Sequence, residues 1–295
     1  MKVAAYQAPL GFNGEGEVLG LIRGQVEWCE AEGVEILCCP EGVIGGLADY
    51  ASRPADIALD AEAGQLEELL APLASESVTT ILGFTELSKG GRLYNSAAVF
   101  HRGSVVGVYR KLYPAINRSV YEAGVEMPVF TVGGLTFGII ICNDSNYYEP
   151  ARIMASKGAA ALFVPTNNGL PPAKAGAELV AQARNCDVAR AVENSVYVIR
   201  ADVAGRSESL VSYGSSGIVD ADGSVLHSAR LLTTDIIVAD IKTTPPKHRR
   251  GWDAPRNSAV MDEYARLLAR SHTGTERTYP DGADPTKDCT LPALA

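Results

Sequence analysis

Along residues 3–241, short apolar runs rich in β-branched residues alternate with helix-length segments, which restricts the chain to a layered α/β architecture. Val3 to Gln7 is an expected strand, followed by a helix over 16–32 with Val18, Leu19, Ile22, Val26 and Cys29 at helical spacing and Gly33 as its stop. Val34 to Cys39 is a second strand, ended by Pro40. Residues 62–77 read as a helix that Pro72 kinks or shortens, and Val78 to Phe84 as a third strand. Ser96 to His101 and Val105 to Tyr109 form an expected hairpin about Arg102-Gly103. Val129 to Val132 and Thr136 to Cys142 repeat that pattern about Gly133-Gly134. A helix over Pro150 to Gly158, a buried strand over Ala160 to Pro165 and a long helix over Ala173 to Asn194 follow. Ser195 to Asp202, Ser215 to Asp220 and Asp235 to Ile241 complete the strands. Crossovers and hairpins in one chain predict mixed sheets, not a purely parallel one.

No internal repeat or low-complexity linker interrupts this pattern, so one domain is expected over residues 1–245. Residues 246–295 form a C-terminal tail, expected to pack on a partner subunit or to be partly disordered. The tail carries the basic cluster Lys247-His248-Arg249-Arg250, read as a solvated turn, and a short expected helix near Ser258 to Arg270. Lys plus Arg at 26 against Asp plus Glu at 35 gives −9, which argues against a nucleic-acid partner. No apolar run reaches the roughly 18 residues of a membrane span. Met1 to Gln7 reads as an immediate strand and not as a signal peptide, and the six cysteines include no Cys-x-x-Cys pair; a reducing cytoplasm is the expected address. Four scattered histidines lack ligand spacing, so neither a metal nor a cofactor is expected.

Chemistry points first to Cys142, which ends an apolar strand and precedes the polar stretch Asn143-Asp144-Ser145-Asn146. In α/β folds such strand exits carry reacting groups, and the following backbone N–H groups can hold developing charge. A thiol nucleophile needs a base, yet no histidine occupies a comparable position. Glu41, after Cys38-Cys39-Pro40, and Lys111, after Val105 to Arg110, both stand at exits of apolar strands. A desolvated carboxylate could take the thiol proton and a lysine could face a substrate oxygen. Taken singly, each charge is equally a loop charge, and the cysteine equally an inert buried thiol.

Cys39-Pro40-Glu41-Gly42, Tyr109-Arg110-Lys111-Leu112 and Ile140-Ile141-Cys142-Asn143-Asp144 resemble, in order and spacing, the Glu-Lys-Cys set of the nitrilase superfamily of carbon–nitrogen hydrolases. The segments around Gly83 to Glu86, Leu93 to Ser96, Val164 to Asn168, Ala189 to Asn194 and Tyr213 to Val219 are similar to further blocks of that family, so the resemblance spans about residues 3–242. It implies a four-layer αββα sandwich with two mixed sheets, assembled as a homodimer or larger homo-oligomer. It also implies a metal-free thioester mechanism on a small linear amide or N-carbamoyl compound, with Glu41, Lys111 and Cys142 as catalytic residues and the Asn143 backbone N–H as an oxyanion donor. By the same resemblance Thr166 and Asn167 lie in the substrate loop.

This chain departs from the family pattern in three places. Many members carry a second glutamate before a glycine resembling Gly124; here that window offers Asn117-Arg118-Ser119, so Asn117 or a displaced Glu122 is the expected substitute. Tyr113 stands where the family usually has His. Asn143-Asp144 keeps the acid of the amide and carbamoyl hydrolases without their preceding aromatic, which favours that branch over nitrile hydrolysis. The alternatives are a nitrile hydrolase and, because of the missing glutamate, a binding or regulatory member that has lost turnover.

Overall fold

The computed structural model describes residues 1–11, 15–115 and 119–244, together with residues 262, 263 and 265. Contacts gather Met1–Lys247 into one unit and His248–Ala295 into a second. Residues 262, 263 and 265 are helical; the rest of the expected tail helix and the basic cluster lie outside the described residues.

In chain order the strands are β1 (Lys2–Pro9), β2 (Ile36–Cys38), β3 (Thr79–Leu87), β4 (Leu93–His101), β5 (Ser104–Arg110), β6 (Val129–Val132) and β7 (Leu135–Ile139). They continue as β8 (Ala161–Pro165), β9 (Tyr197–Ala201), β10 (Val203–Arg206), β11 (Val211–Ser212), β12 (Gly217–Val219), β13 (Val225–Ser228) and β14 (Asp235–Asp240). The α-helices are α1 (Glu15–Glu32), α2 (Gln65–Leu70), α3 (Tyr148–Ser156) and α4 (Ala177–Asn194). One sheet runs β11-β10-β1-β2-β3-β4-β5, with β14 also paired to β1, and the other runs β13-β12-β9-β8-β7-β6. Both are mixed: β1, β2 and β3 pair in parallel and then turn antiparallel at β4, while β7, β8 and β9 are parallel between antiparallel flanks.

Period-2 burial separates the layers. Val3 and Ala5 of β1 join Phe137, Ile139, Phe163 and Ile199 between the two sheets. Ala4, Tyr6 and Ala8 face the opposite way, against Val18, Ile22 and Val26 of α1 and Leu66 and Leu70 of α2. Helices α3 and α4 lie against the second sheet, which completes the αββα order. Among the described residues no helix is long and apolar enough to cross a membrane.

Helix α1 ends as its glycine predicts. Gly33 takes φ +69°, and the N–H groups of Gly33 and Val34 donate to the carbonyls of Glu30 (3.3 Å) and Cys29 (2.8 Å). The expected helix over 62–77 is shorter: α2 stops at Leu70, and Ala71–Leu73 tightens into a 3₁₀ turn around Pro72, whose ring nitrogen has no hydrogen to donate. Strand β7 ends at Ile139, so Cys142 is not its last residue but opens a 3₁₀ turn, Cys142–Asn146.

Candidate active site

Exits of strands from both sheets converge on Glu41. Its carboxyl is 2% exposed and accepts hydrogen bonds from Asn95 Nδ2 (2.7 Å) and Lys111 Nζ (2.6 Å) on Oε1, and from the backbone N–H of Asn167 (2.9 Å) on Oε2. Three N–H donors on two oxygens are the environment of a carboxylate anion. The shelf carrying Glu41 lies directly on β3 at Gly83, where an added Cβ would come within 2.6 Å of the Glu41 Cα. Lys111 is equally buried, at 3%, and its backbone N–H donates to the carbonyl of Asn95 (2.8 Å). Burial pulls the Lys111 ammonium towards neutrality, but Glu41, Cys142 and Asp144 around it outweigh that and hold its pKa above the ordinary lysine value.

Cys142 is partly buried and adopts φ +45°, a left-handed conformation unusual for a residue with a Cβ. Its thiol lies within electrostatic reach of both Glu41 and Lys111. Burial and then the Glu41 charge push the thiol up to about 12, against the opposing pull of Lys111 and Arg200. The resting sulfur is therefore a neutral thiol beside an anionic acceptor.

Two buried networks hold this turn. Asp144 accepts from the N–H of Ile141 (2.9 Å), the N–H of Tyr113 (2.8 Å) and the Tyr109 hydroxyl (2.7 Å), tying the turn to the exit of β5. Asn143 Nδ2 donates to the Tyr113 carbonyl (3.1 Å), and the Tyr113 ring stacks on Tyr147 with centroids 3.7 Å apart. On the other side, Ser145 Oγ donates to the Cys142 carbonyl (2.7 Å) and accepts from Arg200 Nη2 (2.9 Å). Arg200 also grips Asp187 through Nε (2.9 Å) and Nη2 (2.6 Å) and donates to Thr166 Oγ1 (2.8 Å).

Burial raises the Asp144 carboxyl from 3.8 to about 6 despite Lys111 and its hydrogen bonds. The folded state thus binds this proton more tightly than the unfolded chain does. The resulting stabilisation is complete below about pH 4 and is lost as pH rises through about 6, a change of about 3 kcal/mol. Urea melts of Asp144→Asn and parent should show the variant gaining about that much on the parent between pH 4 and pH 7. A constant gap across that range would contradict the raised value.

The structure thus brings Glu41, Lys111, Cys142, Asn143 and Asn167 together, and it relocates two other expected residues. Thr166 is fully buried, and its hydroxyl donates to the Val164 carbonyl (3.0 Å) and accepts from Arg200 Nη1 (2.8 Å). Glu122 is exposed and lines a separate groove with Glu86, Arg92 and Arg110, away from this group, because its backbone pairs with Leu93 on the outer side of β4. Asn117 and Arg118 lie outside the described residues. Sequence reasoning missed the supports: Asn95, Ser145, Asp187 and Arg200. A charge inside the apolar run Val198-Ile199-Arg200-Ala201 is the signal that could have exposed the last two. Among the described residues no group of three or more His, Cys, Asp or Glu is placed to hold a metal ion.

The chain is 31% identical over 242 residues to "Hydrolase in pqqF 5'region" of Pseudomonas protegens, covering 78% of this chain and 79% of that protein. It is 29% identical over 252 residues to an "(R)-stereoselective amidase" of a Pseudomonas species, covering 84% of each. A solved variant of the Nesterenkonia AN1 amidase from the nitrilase superfamily superposes with TM-score 0.71 at 20% identity, over 90% of this chain and 97% of that one. The model of the carbon–nitrogen hydrolase family matches residues 2–244. With that match spanning the whole two-sheet unit, the chain belongs to the carbon–nitrogen hydrolase family.

Proposed function

We propose that this chain is a cysteine-dependent hydrolase of small linear amides or N-carbamoyl compounds, acting through a thioester on Cys142. One observation carries the reading: a buried acid, Glu41, bonded to a buried cation, Lys111, lies within electrostatic reach of a partly buried thiol at a strand exit. Because the thiol is neutral at rest, its proton passes to Glu41 as the sulfur attacks the carbonyl carbon. The C–S bond forms, and the oxygen takes the carbonyl π pair as an oxyanion facing Lys111 and the Asn143 backbone N–H. Collapse breaks the C–N bond while Glu41 returns its proton to the departing nitrogen. Water, deprotonated by Glu41, then attacks the thioester, and the sulfur leaves and recovers its proton from Glu41. The likeness to a named amidase and the Asp at 144 support amide over nitrile hydrolysis.

The test is a panel of primary amides, N-carbamoyl amino acids and nitriles read by ammonia release, with acid-quenched protein taken for intact and peptide mass. Amides or carbamoyl compounds should release ammonia and leave an acyl or carbamoyl mass on the Cys142 peptide. Turnover that persists at the parent rate in Cys142→Ala, or no release from any amide or carbamoyl compound, would overturn the proposal.

A further inference from the structure

Beside Glu41 the loops after β1, β2, β8 and β10 border an open cavity of about 350 Å³ whose walls include Leu10, Leu47, Ile57, Val203 and Leu210. Every described residue on this wall is uncharged at neutral pH. Its two polar members connect it to the reacting groups. The backbone N–H of Asn167 is bonded to Glu41, and the phenol of Tyr50 stands within electrostatic reach of Glu41, Cys142 and Lys111. Gly42, directly after Glu41 in the chain, also lines it. The cavity therefore adjoins the cluster that would perform the chemistry, through Gly42, Tyr50 and Asn167.

Building on the amidase reading, we infer that this cavity takes the non-reacting end of the substrate and selects a neutral aliphatic or aryl group. Its volume is roughly twice the ~150 Å³ that admits benzene and sits at the small end of ligand pockets. A short alkyl chain or a benzyl group fits within it. A carboxylate or ammonium placed there would lose its hydration with no opposite charge among the described walls to replace it. Each methylene that enters leaves water for hydrocarbon and raises affinity about fourfold.

Calorimetry on the Cys142→Ala protein separates binding from turnover. Acetamide, butanamide, hexanamide and phenylacetamide should bind with affinity rising about three- to fourfold per methylene. Succinamate should bind at least about tenfold more weakly than butanamide, since its carboxylate enters the same space. Leu210→Trp, which fills the cavity from a partly exposed position, should cut the hexanamide-over-acetamide preference at least about tenfold; Leu210→Ala should move the preferred chain to greater length. A flat chain-length series, or stronger binding of succinamate, would overturn the inference. Ammonia release by the parent protein keeps the two readings apart: a chain-length preference in binding without hydrolysis defeats the amidase reading alone, and hydrolysis with no such preference defeats this one alone.

Discussion

Glu41→Gln is expected to lower amide turnover by about 10²–10⁴-fold while making the Cys142 thiol easier to ionise. Glutamine keeps an oxygen for Asn95 and Lys111 to donate to, so the shelf on β3 survives, but it cannot take a proton from sulfur. At the same time the thiol loses the negative neighbour that holds it up and retains Lys111 and Arg200, which pull it down. Its titration should therefore fall from about 12 by at least about one pH unit, raising the thiolate fraction at a given alkaline pH about tenfold. Iodoacetamide labelling of Cys142 against pH, with Cys142→Ala as the blank for the other cysteines, reads this directly. Opposite movement of turnover and thiol acidity is the signature of a base that also raises its partner's pKa. Retained turnover, or a titration that moves upward, would remove Glu41 from that role.

Arg200→Met should give the second-largest effect, through stability and reactivity together. The guanidinium is 2% exposed and is the main partner of Asp187, which is wholly buried; Arg184 reaches that carboxylate only at 3.5 Å. Removing one member of such a pair leaves a buried charge stranded, at about 3–5 kcal/mol. Arg200→Met with Asp187→Leu should recover most of that loss, because a well-filled apolar replacement of a buried pair is close to neutral. Catalysis should not recover with it. Ser145, which fixes the Cys142 carbonyl, and Thr166, whose carbonyl receives the Glu41 N–H (3.3 Å), both depend on Arg200 for their hydrogen-bond geometry. The double variant should melt near the parent, turn over at least about tenfold more slowly, and titrate its thiol at higher pH for want of the cation. Full recovery of turnover along with stability would reduce Arg200 to a purely structural part.

Much of this architecture was readable from local chemistry. Strands β1, β3, β4, β7 and β8 are apolar runs that bury both faces or alternate between them, and tight turns set their hairpins, so composition and period agree. The strands that escaped are the ones pairing alone defines: β10 and β11 are four and two residues long, and all four residues of β13 are exposed. Glu41, Lys111 and Cys142 were legible because each follows an apolar run at a strand exit. Their supports were not, since Asn95, Asp187 and Arg200 acquire their function from side chains 13 to 55 positions away. Placement failed where the backbone path decided it. Glu122 has the chemistry of a site residue and the wrong side of β4, and the hydroxyl of Thr166 turns inward to Arg200. The cavity wall assembles from four loops far apart in sequence, so no local pattern announces it.

The left-handed backbone at Cys142 sets durability against chemistry. Holding a residue with a Cβ at φ +45° disfavours the native chain by about 1–2 kcal/mol, and glycine at this position would escape that disadvantage. Glycine would also delete the sulfur. A lineage selected for heat resistance alone would thus drift towards a tougher, inert protein at this one codon, and whatever keeps the cysteine there acts on what the molecule does and not on how well it folds.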